Sequence, residues 1–376
     1  MAVAAVAAVA MKIRGAVARA PMAALTLEDL TLDPPRDDEV LVRVVATGVC
    51  HTDIAMRDKV FPVPQPIVLG HEGAGIVEQV GRSVRKVRVG DSVVMTYHSC
   101  GHCPSCYSAK RGYCHNFFAC NFAGSRADGS TALSVNNTPV HSHFFGQSSF
   151  ATHAVCNERN VIAVPSNVPL ELLGPLACGI QTGAGAAINA LSVREGHSLA
   201  VFGTGSVGLS AIMGAALCGA TTVVAIDLNE ERLTLARELG ATHAFNPIHT
   251  DVPAAVRALH AAGLDFSLDT TGLAPVIGTA VEILAPLGVC GLLGASDLSA
   301  EVSLNIAHLM TAGRSVRGII EGDSIPELFI PTLIELYRQG RFPFDRLVRF
   351  YAFDSINEAI QDSESGRAIK AVVRMT

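Results

Sequence analysis

From about Leu41 to Val94 apolar and polar residues alternate in short runs, VLVRVVATG, GHEGAGIVEQVG and VGDSVV, separated by Gly, Pro and Asp. A period of two predicts short strands joined by turns. Between Cys100 and Phe150 the alternation lapses into a stretch rich in Cys, Gly, Ser and His, which predicts an irregular surface lobe. Near Leu199 the pattern changes. SLAVFGTGSVGLSAIMGAALCGATTVVAID reads as a buried strand, a glycine turn, an apolar helix and a second strand, and ERLTLARELGATHAFNP as an amphipathic helix stopped at Gly240. FSLDTTG and GVCGLLGAS read as two further buried strands. Such alternation of strand and helix predicts a parallel sheet covered on both faces. Beyond about Ile320 the pattern is mixed, and the closing AIKAVVRM predicts a strand in a tail that returns to the first part.

A length of 376 residues accommodates two domains, and 49% hydrophobic residues can fill their cores. The formal net charge is −6 and no long basic run is present, which argues against nucleic acid or an anionic membrane as partner. The opening MAVAAVAAVA is apolar for ten residues with no positive segment before it. A signal peptide needs charge first and a longer apolar run, and a spanning helix needs about 20 apolar residues. The expectation is a frayed extension ahead of Met11 and a cytoplasmic protein. In a reducing compartment ten cysteines suggest metal or thiol roles rather than disulfides.

Gly203, Gly205 and Gly208 form G-x-G-x-x-G between the strand LAVF and a helix that opens with Ser206 and Val207. The first glycine makes the tight turn, the second lets backbone approach a pyrophosphate, and the third lets helix pack on strand. The helix N-terminus faces the phosphates with its positive end. Asp227 ends the next strand, where a carboxylate bonds both ribose hydroxyls of NAD and repels the 2′-phosphate of NADP. Three glycines at a packed turn of a non-binding domain is the bland alternative, and the strand, helix, second strand and acid in sequence argue against it.

Cys100, Cys103, Cys106 and Cys114 are spaced C-x₂-C-x₂-C-x₇-C. Four thiolates close a tetrahedral zinc shell with no position left for substrate, so this site is structural and folds a lobe with little core of its own. His102 and His115 lie within or beside the stretch and could compete as ligands, but four cysteines already suffice, so both are expected to be surface residues. Cys50, His71 and Cys178 together would supply the Cys₂His set of a catalytic zinc with one open position. Spacing alone does not select these three from ten cysteines and thirteen histidines.

The motifs GVCHTD, GHEGAG, VGDSVV, CGHCPSC with its later Cys, CGIQTGAG, GTGSVG with Asp227, and GRAIK, in that order, resemble the zinc-dependent medium-chain alcohol dehydrogenases from about Lys12 to Thr376. HFFGQSSFATHAV, ELLGPLACGIQTGAG and RFPFDRLVRFYAFDSINEA add a likeness to the bacterial aryl-alcohol (benzyl-alcohol) dehydrogenases. The resemblance implies an α/β fold. A GroES-like β-rich catalytic domain at 1–180, carrying a structural-zinc lobe at about 97–120, would be completed by 321–376 around a Rossmann doubly wound parallel-sheet domain at 181–320. It implies Cys50, His71 and Cys178 as ligands of catalytic zinc, Glu72 just behind the metal or an alternate ligand, and Asp53 orienting His71. Thr52 would pass the substrate proton outward, His51 and Lys370 would contact the pyrophosphate, and Arg232 the adenosine ribose. Two zinc ions per subunit and NAD are the implied cofactors. Zinc would acidify the bound alcohol, hydride would pass to the nicotinamide, and closure of the cleft between the domains would exclude water.

Two positions depart from the pattern. Many relatives carry a His five residues after the first ligand Cys to end the proton relay, and here Ala55 stands there. His51 or bulk water would take the proton instead. Glutathione-dependent formaldehyde dehydrogenases carry an acid and an Arg where this chain has Phe61 and Phe118. Phe61, Phe144 and Tyr97 would instead line an apolar pocket, although each of them also suits a packed core.

The expected activity is reversible, NAD-dependent oxidation of aromatic primary alcohols of the benzyl type to aldehydes. A geraniol-type allylic alcohol dehydrogenase is the nearest alternative, followed by the glutathione-dependent enzyme and then the polyol dehydrogenases. A zinc ribbon that binds nucleic acid or protein conflicts with the net charge and the catalytic triplet. An inactive or zinc-free relative conflicts with the intact Cys50, Thr52, His71 and Cys178. A homodimer or homotetramer built by pairing Rossmann sheets edge to edge is expected.

Overall fold

A computed structural model describes residues 9–375. The expected frayed extension lies almost wholly outside the described residues. The chain divides into two compact units: one takes the chain up to Cys178 and again from Leu347, and the other is Gly179–Arg346.

The first unit holds two sheets. The smaller is antiparallel wherever its strands run side by side, in the order Ile67–Val68, Met11–Ala18, Thr26–Leu32, Leu133–Val135 and Thr138–Val140. The larger is organised around Glu39–Gly48, which pairs antiparallel with Glu72–Val80, His153–Asn157 and Lys370–Arg374. Its buried face carries Val40, Val42 and Val44, which join Leu30, Val68, Leu69, Phe150 and Val373 in one core. β-branched residues at alternate positions suit such a half-buried pleat. Val372 and Glu72 are both partners of Gly48, on opposite sides, so the tail is part of this sheet.

The lobe after Cys100 is more regular than its pattern predicts. It contains the short helices Pro104–Tyr107 and Phe117–Phe122 and a hairpin of Leu133–Val135 with Thr138–Val140. Asn136 and Asn137 make its two-residue turn with positive φ, the geometry such hairpins favour. The strands are too short for the alternation to register.

The second unit is a six-stranded parallel sheet in the order His243–Phe245, Thr222–Ile226, Ser198–Phe202, Leu264–Asp269, Leu284–Leu292 and Ser315–Gly318. The first strand in sequence lies inside the sheet, so the order reverses beside it, which is where such sheets bind nucleotides. Every residue of Ser198–Phe202 and Thr222–Ile226 is buried, as expected of strands covered on both faces. The unit keeps the chain until Arg346 rather than releasing it near residue 321. The helix Pro326–Arg338 buries Phe329, Ile330, Leu333 and Ile334, and Phe342 and Phe344 follow with no exposed surface. Among the described residues no helix is long and apolar enough to cross a membrane.

Candidate functional site

Two clusters in the first unit hold metal-ligating atoms within 4.8 Å of one another. The first is Cys100, Cys103, Cys106 and Cys114. The Sγ atoms of Cys100 and Cys106, and those of Cys103 and Cys114, are 3.9 Å apart. A zinc–sulfur bond of ~2.3 Å gives a tetrahedral edge of about 3.8 Å, so the set fits zinc. Backbone N–H groups of Cys100 and Asn116 donate to Cys114 Sγ, and that of His115 to Cys103 Sγ, each at 3.4 Å. Burial at Cys100 is outweighed by hydrogen-bond donors, bringing its thiol to about 5, while burial pushes Cys114 up to about 12. His102 and His115 are exposed and stand outside the set.

The second cluster is Cys50, His71, Glu72 and Cys178. Cys50 is the extended residue ahead of the helix His51–Arg57, and Asp53 Oδ2 accepts from its backbone N at 2.9 Å. His71 directly precedes the strand Glu72–Val80, and Cys178 follows the short turn Gly174–Ala177. Asp53 Oδ1 meets His71 Nδ1 at 2.8 Å, which leaves Nε2 to the cluster. His71 Nε2 is buried without a hydrogen-bond partner, as a ligand atom awaiting a metal would be. Hydrogen bonding with Cys178 outweighs burial and, with His71 nearby, holds the Cys50 thiol well below its ordinary range. Burial opposes the imidazolium, yet Asp53 outweighs it and holds His71 well above its ordinary range. Soft thiolates and an imidazole gathered this closely suit zinc.

Lys370, expected to contact a pyrophosphate, is 2% exposed and donates to both Glu72 carboxylate oxygens at 2.8 and 2.9 Å and to Val49 O at 3.2 Å. The sheet register explains this. Gly48 lies between Glu72 and Val372, and a side chain there would come within 1.9 Å of Glu72 Oε2. The missing side chain leaves the space in which the acid from one neighbour meets the base from the other. Burial works against the Lys370 charge, but Glu72 keeps it protonated above its usual range. Burial also pushes the Glu72 carboxyl up to about 7, against the pull of Lys370.

Thr52 Oγ1 is 3.7 Å from Cys50 Sγ, His51 is exposed, and Ala55 is buried. An aromatic wall runs outward from His71. Phe145 stacks on its ring at 4.4 Å between centroids and Phe144 stands edge-on at 5.6 Å. Phe122 meets both, and Phe61 stacks on Phe122 at 6.4 Å. Phe117 contacts Phe145 and Tyr97. Phe144 has no exposed surface, so it backs this wall, while Phe118 is 64% exposed at its outer end. Phe117, Phe122 and Phe145 were not expected from the sequence. Phe117 and Phe145 each belong to an FF doublet, in HNFFACNF and HFFGQSSF, and Phe122 closes the first run, but the pattern alone does not say which ring faces which way.

In the second unit Gly203 follows its strand with φ +87°, and a Cβ on Gly208 would come within 1.9 Å of Gly203 O. A Cβ on Gly205 would meet nothing within 4 Å, which leaves that backbone open to a ligand. The helix Ser206–Leu217 begins there, with Ser206 and Val207 in its first turn. Asp227 follows Thr222–Ile226; its Oδ2 accepts from Thr204 N and Oγ1 at 2.6 and 2.8 Å, which ties the acid to the glycine turn. Arg232 lies in the next helix, Glu230–Glu238, whose cap Asn229 accepts from Arg232 N. These residues fit a dinucleotide.

The comparisons agree with this geometry. Residues 36–166 match the alcohol dehydrogenase GroES-like domain and residues 206–338 the zinc-binding dehydrogenase family. The chain belongs to the zinc-binding medium-chain alcohol dehydrogenases, and it is an oxidoreductase. Among its relatives, a geraniol dehydrogenase of Castellaniella defragrans is 50% identical over 351 residues, covering 93% of this chain and 94% of its own. The crystal structure of benzyl alcohol dehydrogenase from Acinetobacter calcoaceticus superposes with a TM-score of 0.95 at 45% identity, covering 97% of this chain and all of that one. A zinc-binding-domain alcohol dehydrogenase protein from Burkholderia ambifaria gives a TM-score of 0.96 at 51% identity, over 98% of this chain and all of that one.

Proposed function

We propose that the protein is an NAD-dependent, two-zinc alcohol dehydrogenase that interconverts aromatic primary alcohols of the benzyl type and their aldehydes. The observation that carries the substrate class is the aromatic wall beginning at His71, with Phe145 stacked on the ligand ring and Phe122 and Phe61 beyond it. Aromatic rings prefer offset or edge contacts with one another, and a flat aryl body gains from such a lining. The likeness to a benzyl alcohol dehydrogenase supports the same reading.

Cys50, His71 and Cys178 would hold the catalytic zinc, which, when bound, supplies Lewis acidity toward the alcohol oxygen. The chain does the rest. Asp53 fixes the imidazole so that Nε2 points to the metal. Thr52 carries a hydroxyl beside Cys50 that can take the substrate proton and pass it on, and exposed His51 is one residue away to receive it. Glu72 and Lys370 keep the charge behind the ligand set balanced. Asp227 favours the free ribose hydroxyls of NAD over a 2′-phosphate.

A second reading, oxidation of an allylic terpene alcohol, draws on the 50% identical geraniol dehydrogenase. Both substrates place an unsaturated carbon next to the carbinol. A panel of benzyl alcohol, cinnamyl alcohol, geraniol, ethanol, and formaldehyde with glutathione, each with NAD and NADP, compares kcat/KM values. A lead of benzyl or cinnamyl alcohol over ethanol by orders of magnitude with NAD is expected. A geraniol lead moves the substrate to terpenes; turnover only with glutathione present overturns both readings.

The partner of this fold is a second copy of the chain. Ser315–Gly318 is an edge strand, and the exposed Leu287, Ile306 and Met310 lie on neighbouring elements of the same unit. Light scattering should give a mass at least twice that of one chain.

A further inference from the structure

The run HFFGQSSF is held in an unusual backbone shape. His143, Phe145, Gly146 and Ser148 all have positive φ, between 49° and 69°. Non-glycine residues seldom adopt this region, and they persist there only when their surroundings over-determine them. Ser148 Oγ donates to Val68 O at 2.6 Å and accepts from Phe144 N at 3.0 Å, which pins the turn to the chain just ahead of His71.

Gln147 is the residue this shape delivers. It is 1% exposed, and its amide binds backbone on two segments. Oε1 accepts from Gly73 N at 3.1 Å. Nε2 donates to His71 O and Met95 O, both at 3.0 Å, with Thr96 O at 3.3 Å. One side chain therefore grips the backbone on both sides of Glu72 and joins it to Met95–Thr96. Thr96 Oγ1 in turn donates to Ala177 O at 2.8 Å, the residue before Cys178. Two metal-ligand segments remote from each other in sequence, His71–Gly73 and Ala177–Cys178, are thus linked through one amide and one hydroxyl.

We propose that Gln147, acting with Thr96, is a positioning residue for the Cys50–His71–Cys178 centre: it sets the separation of His71 and Cys178 through their backbones, as Asp53 sets the orientation of the His71 ring. Neither residue offers an atom to the metal cluster. Both act on ligand placement, so their loss should change how tightly and in what geometry the metal is held. The inference rests on the assignment of the metal centre and not on the choice of alcohol.

The test compares Gln147→Met, Thr96→Val and Thr96→Ser in the full-length zinc-replete protein. Zinc transfer to a chelator is followed for both zinc ions, and the absorption bands of protein carrying cobalt(II) in the catalytic position report ligand geometry. Gln147→Met should release the catalytic zinc about 10–100-fold faster, the range seen when groups behind metal ligands are lost, with shifted cobalt bands and an unchanged four-cysteine zinc. Thr96→Val should move both readouts in the same direction by less, and Thr96→Ser should restore them. Unchanged catalytic-zinc release and cobalt bands in Gln147→Met and Thr96→Val overturn the proposal. Equal acceleration at both zinc ions also overturns it, because that is general loosening. If Gln147→Met does not fold, the Thr96 pair decides: loss in Val with recovery in Ser supports the proposal, and Val behaving as wild type sinks it. Wild-type protein that binds only one zinc would instead sink the metal assignment.

Discussion

The four-cysteine lobe and the Cys50–His71–Cys178 centre fit the same metal by opposite constructions. The lobe draws all its ligands from fifteen consecutive residues, supports them with backbone N–H donors, and fills every position with sulfur. The other centre gathers ligands from three distant segments and surrounds them with charge: Asp53 on His71, and Lys370 on Glu72. A closed shell does work only in folding, whereas an open one has to hold its ligands still while leaving room for chemistry. The difference teaches where the supporting structure is invested. In the lobe a bound metal would organise the chain; at the open centre the chain would organise the metal.

Replacing one ligand in each region is the strongest way to break that comparison. Cys178→Ser should retain one zinc per chain, stay folded, and lose activity by roughly 10³-fold or more, because several kcal/mol of Lewis-acid stabilisation disappear. Cys103→Ser should also lose one zinc, but its first effect should be on stability, a fall of roughly 10 °C in Tm. Metal content, calorimetry and kcat on the same samples check both. If Cys103→Ser left Tm unchanged and abolished turnover, the division of labour argued above would be wrong.

The two regions also differ in how far the sequence discloses them. The lobe's C-x₂-C-x₂-C-x₇-C is legible because its ligands are neighbours in the chain, and the glycine turn with Asp227 is legible for the same reason. The open centre is legible only through family resemblance, because strand pairing and long-range contacts, not spacing, bring residues 50, 71 and 178 together. The strand–helix alternation that marks the second unit is likewise local, and it predicts four of the six parallel strands directly. The pairing of Lys370 with Glu72 is not legible in the sequence, because it is fixed by two strand registers meeting at Gly48. Gln147 and Phe145 were passed over because their directions depend on a cluster of left-handed residues that no periodicity predicts.

Lys370→Met sharpens the comparison at its charged part, which the lobe lacks. The substitution leaves Glu72 buried without its counter-charge and should cost about 3–5 kcal/mol of stability. Adding Glu72→Gln should return much of it, since removing both members of a buried pair costs less than removing one. Urea unfolding of the zinc-replete variants measures this. If Lys370→Met instead left stability unchanged and raised only the KM for NAD, a pyrophosphate contact would be the better account of this lysine.

The smallest expected effect concerns how a proton leaves the open centre, a task the closed lobe does not have. Ala55 offers no proton acceptor and is buried, so the path from Thr52 must reach water by another residue. His51 is adjacent in sequence and exposed. His51→Gln should lower kcat/KM for alcohol oxidation by no more than the ~10²-fold lower end of general acid–base catalysis. The loss should shrink as pH rises, because hydroxide and buffer bases then take the proton in its place. Adding Ala55→His to that variant should recover the activity at neutral pH, by supplying an acceptor on the other side of Thr52. A pH profile of kcat/KM that is the same in wild type and His51→Gln would mean that bulk water already reaches Thr52 and that His51 serves the cofactor alone.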